Sequence, residues 1–332
     1  MKILVTGGAG FIGSEFVRRH LTVGSSTNIT VLDALTYSGI QANLDCMASY
    51  PNYTFVRGDI CDPETVDQVM AGQDVVVHFA AESHVDRSIQ SAAPFIRTNV
   101  MGTQVLLDAA RRHGIARFVH VSTDEVYGSI SEGSWSEEWP LAPNSPYSAS
   151  KAGADLLALA YHRTHGLEVV VTRCSNNYGH YQFPEKAIPL FITNLMDGKP
   201  VPLYGDGNNI RDWLHVSDHC QGIELALKAG KAGEVYNIGG GTELSNRDLT
   251  CLILDAVGAG WDRVVRVPDR PGHDLRYSLD DRKIRELGYH PRVSFLEGLS
   301  ATVGWYQENR SWWEPLTASA AAVELCSLSG RR

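Results

Sequence analysis

The chain has 332 residues, 43% hydrophobic and 20% charged, enough apolar material for one large domain or two packed lobes, which excludes a peptide module and a globally disordered chain. Asp and Glu number 38 against 29 Lys and Arg; the net charge of −9 disfavours a nucleic-acid partner but leaves room for a small anion in a locally basic cleft. The six cysteines lack C-x-x-C spacing, so neither a zinc ribbon nor a disulfide framework is expected, and the reducing cytoplasm is the natural compartment. In chain order, residues 2–6, 28–33, 53–59, 74–80, 117–122 and 168–174 read as strands, most of them separated by helical patterns. The first apolar run meets Gly7 too early for a signal peptide or a membrane span, and no later run reaches spanning length. Runs such as Val75-Val76-Val77-His78-Phe79 are nearly continuously apolar, as in parallel strands covered on both faces. Long helices are expected over 89–113 and 147–165, stopped by Gly114 and Gly166. The expected fold is α/β, a doubly wound Rossmann-type parallel sheet with a smaller α/β substrate-binding lobe. The expected division is a dinucleotide-binding domain over 1–175, a loop-rich lobe over 176–315, and a frayed tail over 316–332.

Four stretches carry chemistry. Thr6-Gly7-Gly8-Ala9-Gly10-Phe11-Ile12-Gly13 joins the first strand to a helix, where glycines let backbone N–H groups approach a pyrophosphate at a helix N-terminus. Asp33, twenty residues past Gly13 at the end of the second strand, suits the adenosine ribose hydroxyls and would repel a 2′-phosphate, favouring NAD over NADP. Asp59 and Ile60 stand at the end of the third strand, where they suit an adenine edge or a solvated turn. Tyr147 and Lys151 stand four residues apart on one face of a helix, the arrangement of an alcohol-oxidising pair in which cations stabilise a phenolate. Thr123-Asp124-Glu125 closes the fifth strand at the edge where open α/β sheets bind ligands, with two adjacent acids able to give and take a proton. Ala80-Ala81-Glu82-Ser83-His84-Val85-Asp86-Arg87 follows the fourth strand, and its His84 and Arg87 suit a sugar or phosphate. His215 and His219 have helical metal-ligand spacing without an accompanying glutamate, so no metal is expected. Trp312-Trp313 read as a core or helix contact.

Taken together these motifs resemble the extended short-chain dehydrogenase/reductase superfamily, and within it the dTDP-glucose 4,6-dehydratases, over about residues 1–315. The discriminating residues are Thr123-Asp124-Glu125, since related epimerases and decarboxylases lack the Asp. Cys174-Ser175-Asn176-Asn177-Tyr178-Gly179, Phe183-Pro184-Glu185-Lys186-Ala187-Ile188-Pro189, the loop from Pro202 to Trp213, and Arg270-Pro271-Gly272-His273-Asp274 are similar to the same family. The resemblance implies catalytic Thr123, Asp124, Glu125, Tyr147 and Lys151. It implies tightly bound NAD at Gly7, Gly10, Phe11, Ile12, Gly13, Asp33, Leu35, Thr36, Asp59, Ile60, Phe79, Ala80, Ala81, Ser83, Thr98, Tyr147, Lys151 and Asn177. It implies a nucleotide sugar at Glu82, His84, Arg87, Thr123, Asn176, Lys186, Ala187, Pro202, Leu203, Tyr204, Arg211, Asn246, Arg270, His273 and Asp274, with Arg211 and Arg270 suited to a pyrophosphate.

The reaction implied is conversion of dTDP-glucose to dTDP-4-keto-6-deoxyglucose and water, in deoxysugar biosynthesis. Tyr147 takes the C4 hydroxyl proton, Glu125 the C5 proton, and Asp124 protonates the leaving C6 hydroxyl. The family also resembles homodimers joined by a four-helix bundle, which the two long helices would supply. The competing readings are another NAD-dependent nucleotide-sugar epimerase or decarboxylase on the same scaffold, and a dinucleotide-sensing protein without turnover.

Overall fold

The computed structural model describes residues 1–22 and 26–317; residues 318–332 of the expected tail lie outside them, and 316–317 still belong to a helical stretch. The first half runs β1 (Lys2–Thr6), α1 (Phe11–Thr22), β2 (Asn28–Asp33), β3 (Tyr53–Arg57), α2 (Pro63–Met70), β4 (Val75–His78), α3 (Val85–Gln90), α4 (Ala93–Phe95), α5 (Thr103–Arg112), β5 (Arg117–Thr123), α6 (Pro146–His165) and β6 (Val169–Cys174). Then follow β7 (Asn176–Tyr178), α7 (Ala187–Met196), β8 (Val201–Tyr204), β9 (Ile210–His215), α8 (Val216–Ala229), β10 (Val235–Ile238), β11 (Glu243–Ser245), α9 (Asn246–Val257), β12 (Val264–Val267), α10 (Arg282–Glu286) and α11 (Phe295–Glu308).

Seven parallel strands form the main sheet in the order β10-β6-β5-β4-β1-β2-β3. Side-chain alternation sorts the sheet into two faces. Ile3, Val5, Val77, Val119 and Val170 pack with Phe16 and Val17 of α1 and Ile223 of α8. Leu4, Val76, Phe118 and Val171 pack with Leu106 and Ala109 of α5 and Ala158 of α6. Burial on both faces is the reason the strands read as unbroken apolar runs.

Two expectations change. The division at residue 175 is not a clean cut, because α8 packs against α1 and β10 returns to pair with β6 in the main sheet. The helix expected over 89–113 is two: α3 ends at Gln90, Ser91 is extended (φ −152°, ψ 109°), and a new helix begins with Pro94 in its first turn. Proline suits that turn because its missing N–H would have no partner there anyway. The new helix continues through a π-helical segment, Ile96–Gly102, into α5. The helix from Pro146 to His165 has Ser145 as N-cap, accepting from Ser148 N, and Gly166 at φ 69° as its stop.

The second lobe is built on β11-β9-β7 and β12-β8. Its own core joins Ile192 of α7, Leu249 and Ile253 of α9, Leu299 and Tyr306 of α11, and Trp313, which is fully buried.

Candidate active site

Strand order reverses between β1 and β4, and a cleft of about 300 Å³ opens at the carboxyl ends of the strands there. The glycine loop forms its floor. Gly7 has φ +71°, and a Cβ on it would stand 2.5 Å from Ala80 N; one on Gly13 would stand 2.3 Å from Gly7 O. The loop therefore needs glycine both for its turn and for close approach of helix and strand. Helix α1 has no acidic residue in its first turn, so its N-terminal dipole is left to a ligand anion. Asp33 is buried, accepts from Ala9 N at 2.9 Å and Leu35 N at 2.8 Å, and keeps lone pairs for two hydroxyls. Burial holds its carboxyl above the ordinary range, so a hydroxyl donor there is favoured over a second anion. These features fit NAD.

At the other end of the cleft, Tyr147, Lys151, Thr123, Asp124 and Glu125 share one wall. The two acids do not lie on the strand. They occupy a 3-10 turn, Asp124–Tyr127, whose N-cap Thr123 accepts from Glu125 N at 3.3 Å, and successive side chains of such a turn point in different directions. Asp124 Oδ1 accepts from Thr123 Oγ1 at 3.3 Å, while Oδ2 is buried and has no hydrogen-bond partner among the described residues. Burial, then Glu125 and Asp212, push the Asp124 carboxyl well up. Glu125 is also raised by burial, but Arg270, Lys186, Arg211 and a 3.1 Å hydrogen bond from Ser148 oppose the shift. Burial thus raises both carboxyls, reinforced at Asp124 by the neighbouring carboxylates and countered at Glu125 by three cations and the Ser148 hydroxyl, so Asp124 is the better placed of the two to hold a proton. Lys151 donates to Val121 O at 2.7 Å, and burial lowers its ammonium to about 8, with Asp155 opposing. The Tyr147 phenol is pushed well above its ordinary value by burial and the carboxylates, with Thr123 opposing, so its deprotonation requires positive charge nearby.

Of the sequence-expected cofactor residues the cleft gathers all but two. Leu35 meets the site only through its backbone N–H to Asp33, at φ 53°. Thr98 is absent from the wall; its neighbour Asn99 is the buried one, accepting from Glu82 N at 2.8 Å and donating to Ser150 Oγ at 2.8 Å. Among expected substrate residues, Thr123, Asn176 and Lys186 line the cleft. The others stand beyond it. Arg87 pairs with Glu185 at 2.9 Å, and His84 Nε2 is 3.8 Å from the same carboxylate; Glu82 is half-buried beside them. Ala187 opens α7, Pro202 and Leu203 lie on β8, and Asn246 opens α9. Tyr204 on β8 and Arg270 both reach Asp86, at 3.5 and 3.3 Å, tying the second lobe to α3. His273 pairs with Asp269, and Asp274 binds Asn144 and Tyr277. Arg211 is buried, donates to Asp274 O and lies 4.1 Å over the Tyr277 ring, and among the described residues no carboxylate stands within ion-pair distance of it. Sequence reasoning missed Ser148, Gln182, Phe183 and Glu185; Ser148 stood inside the Tyr147-Lys151 motif and Glu185 inside Phe183-Pro184-Glu185-Lys186. Among the described residues no three metal-ligating side chains converge. His215 faces Ser217 and His219 faces Asn177.

A doubly wound sheet with this glycine loop, a Tyr–Lys pair and an adjacent Asp–Glu pair defines an extended short-chain dehydrogenase/reductase of the nucleotide-sugar-modifying class. The family model described as GDP-mannose 4,6 dehydratase matches residues 4–302. The chain is 66% identical, over 100% of both chains, to a dTDP-glucose 4,6-dehydratase of Streptomyces niveus. It superposes with TM-score 0.93 and 61% identity on DesIV, a dTDP-glucose 4,6-dehydratase of Streptomyces venezuelae solved with NAD bound, over 95% of this chain and 100% of that one. The UDP-glucose 4-epimerase of Thermus thermophilus, in complex with NAD, is more distant, with TM-score 0.86 and 33% identity over 93% and 100% of the two chains. The chain belongs to the dTDP-glucose 4,6-dehydratase family.

Proposed function

We propose that this protein is an NAD-dependent hydro-lyase converting dTDP-glucose to dTDP-4-keto-6-deoxyglucose and water, in deoxysugar biosynthesis in the cytoplasm. The observation that carries the reading is the unequal setting of two adjacent acids beside the Tyr–Lys pair: buried Asp124 is pushed up by Glu125 and Asp212 with Arg211 opposing, whereas at the partly buried Glu125 Arg270, Lys186 and Arg211 all oppose the rise. NAD held by the glycine loop and Asp33 would supply the reversible oxidation, as acceptor for the C4 hydride and donor toward C6. Tyr147 takes the C4 hydroxyl proton, aided by the Lys151 charge, and Thr123 orients the oxygen. The C4 ketone makes the C5 proton removable, because the resulting carbanion is an enolate. Glu125 accepts that proton and gives it back to C5 when the hydride reaches C6, while protonated Asp124 delivers its own to the leaving C6 hydroxyl, which departs as water, and then regains a proton from solvent. Arg211 and Arg270, with Lys186, supply positive charge for the diphosphate. Epimerisation at C4 would leave Asp124 without a task.

Mass spectrometry of dTDP-glucose incubated with the purified protein, without added NAD and in parallel with UDP-glucose, tests this. The expected result is catalytic loss of one water from dTDP-glucose. An unchanged mass even with NAD supplied rejects the reading, and if proton NMR of that same sample shows a C4 epimer of identical mass, the epimerase is supported.

The active form on this reading is a homodimer. Ile96, Met101 and Leu156, each more than half exposed, lie on the two long helical stretches, 93–112 and 146–165, that would form a four-helix bundle with a second copy. Leu156→Glu is expected to give a monomer in light scattering; an unchanged mass would refute that interface.

A further inference from the structure

The C-terminal tryptophan pair only half belongs to the core. Trp313 is buried, but Trp312 turns its indole edge elsewhere: Nε1 donates to Asn43 Oδ1 at 3.0 Å, across 269 residues of sequence. Asn43 is 1% exposed and passes the connection on, its Nδ2 donating to Ala9 O at 2.9 Å. Ala9 is the middle residue of the glycine loop. Its carbonyl also accepts from Ile40 N at 3.0 Å, and its N–H donates to Asp33 Oδ2 at 2.9 Å. Both polar groups of this one residue are therefore fixed from outside the loop.

The direction of the chain is set by chemistry. An indole N–H only donates and a carbonyl only accepts, so the Asn43 amide has a single orientation that satisfies both neighbours. Flipping it would set donor against donor at Trp312 and acceptor against acceptor at Ala9. Trp312 is itself held edge-on to Tyr181 and Trp305, at ring-centroid distances of 5.6 and 5.1 Å. With the Ala9 carbonyl drawn into the protein, the first-turn N–H groups of α1, which have no acceptor within the helix, stay presented to the cleft.

We propose that Trp312 and Asn43 are positioning residues for the dinucleotide, forming a relay Trp312–Asn43–Ala9 through which the C-terminal helical segment holds the pyrophosphate loop in its binding shape. The inference rests on the reading that the cleft holds NAD, and it gives that reading a structural basis for retention. An enzyme that oxidises and then reduces the same substrate loses its product whenever the reduced cofactor escapes between the two steps.

The test is a double-mutant cycle on the full-length protein, with the NAD dissociation constant as readout after the cofactor has been stripped. Trp312→Phe keeps a ring and deletes the donor; Asn43→Ala deletes both ends of the relay. Each is expected to weaken NAD binding about three- to tenfold, the range for one or two net hydrogen bonds. The double variant is expected to be no weaker than Asn43→Ala, because the indole acts through the amide. In the stripped protein, hydrogen exchange at the Ile40 amide, which shares the Ala9 carbonyl, is expected to accelerate in both single variants. Wild-type affinity retained in Trp312→Phe, or effects that multiply in the double variant, would overturn the relay. A folding defect is separated by the melting temperature of the stripped proteins, since the relay predicts an affinity change in protein that melts normally. A wild-type protein with no affinity for NAD would overturn the cofactor reading instead, and the relay with it.

Discussion

Thr123 sits where three functions meet: its side chain donates to Asp124, accepts from Glu125 N and lies beside the Tyr147 hydroxyl. The division of labour among these residues predicts separable defects. Tyr147→Phe is expected to abolish the first oxidation, so that no absorbance at 340 nm develops when dTDP-glucose is added. Glu125→Gln and Asp124→Asn are expected to leave that oxidation intact while lowering water elimination by about a hundred- to ten-thousand-fold, the usual span for a lost acid or base. Full turnover by Asp124→Asn would sink the assignment of Asp124 as the acid. The isosteric changes are chosen because Glu125 also accepts from Ser148, and a shorter side chain would disturb the start of α6 as well.

At the scale of elements, the site depends on how turns end strands. The loop after β1 needs φ +71° at Gly7, with Ala80 N 2.5 Å from where a Cβ would stand. Gly7→Ala is expected to strain the backbone by about 1–3 kcal/mol and to separate the loop from the strand-end at Ala80. Protein purified from that variant should carry little NAD, read from its absorbance ratio at 260 and 280 nm, and melt at a lower temperature. Retained cofactor with an unchanged melt would refute the packing argument. The break at Ser91 and the π-helical segment after it belong to the same scale, since they turn Asn99 rather than Thr98 inward to hold the backbone of Glu82.

The whole molecule buries several imidazoles that stay neutral. His84 and His219 are both lowered to about 3, chiefly by burial, while in the unfolded chain they titrate near their ordinary 6.5. Between those values the unfolded state binds more protons than the folded one, so stability falls as pH drops below 6.5. Each such histidine contributes about 1.4 kcal/mol of loss per pH unit in that window. The slope of melting temperature against pH between 7.5 and 5 is expected to lose one histidine's contribution in His219→Asn, whose amide can still donate to Asn177. An equal slope in the two proteins would show that His219 titrates in the fold as it does in the unfolded chain.

What the chain order alone made legible is local. Glycines at Gly7, Gly10 and Gly13 dictate a tight turn because other residues do not fit one, and unbroken β-branched runs dictate strands covered on both faces. Tyr147 and Lys151 share a helix face because four residues make about one turn. Together with Asp33 and Thr123-Asp124-Glu125 these residues declared the cleft. Whatever depends on distant partners was decided by folding. Strand β10 crossing back beside β6 was not legible after residue 175, because a short strand carries no mark of the neighbour it will pair with. The unequal push on the two acids, Asp212 acting on Asp124 and Lys186 and Arg270 restraining Glu125, comes from residues far along the chain. The link from Trp312 to Ala9 is of the same kind: a hydrogen bond needs two groups within about 3 Å, and only the folded chain sets that separation.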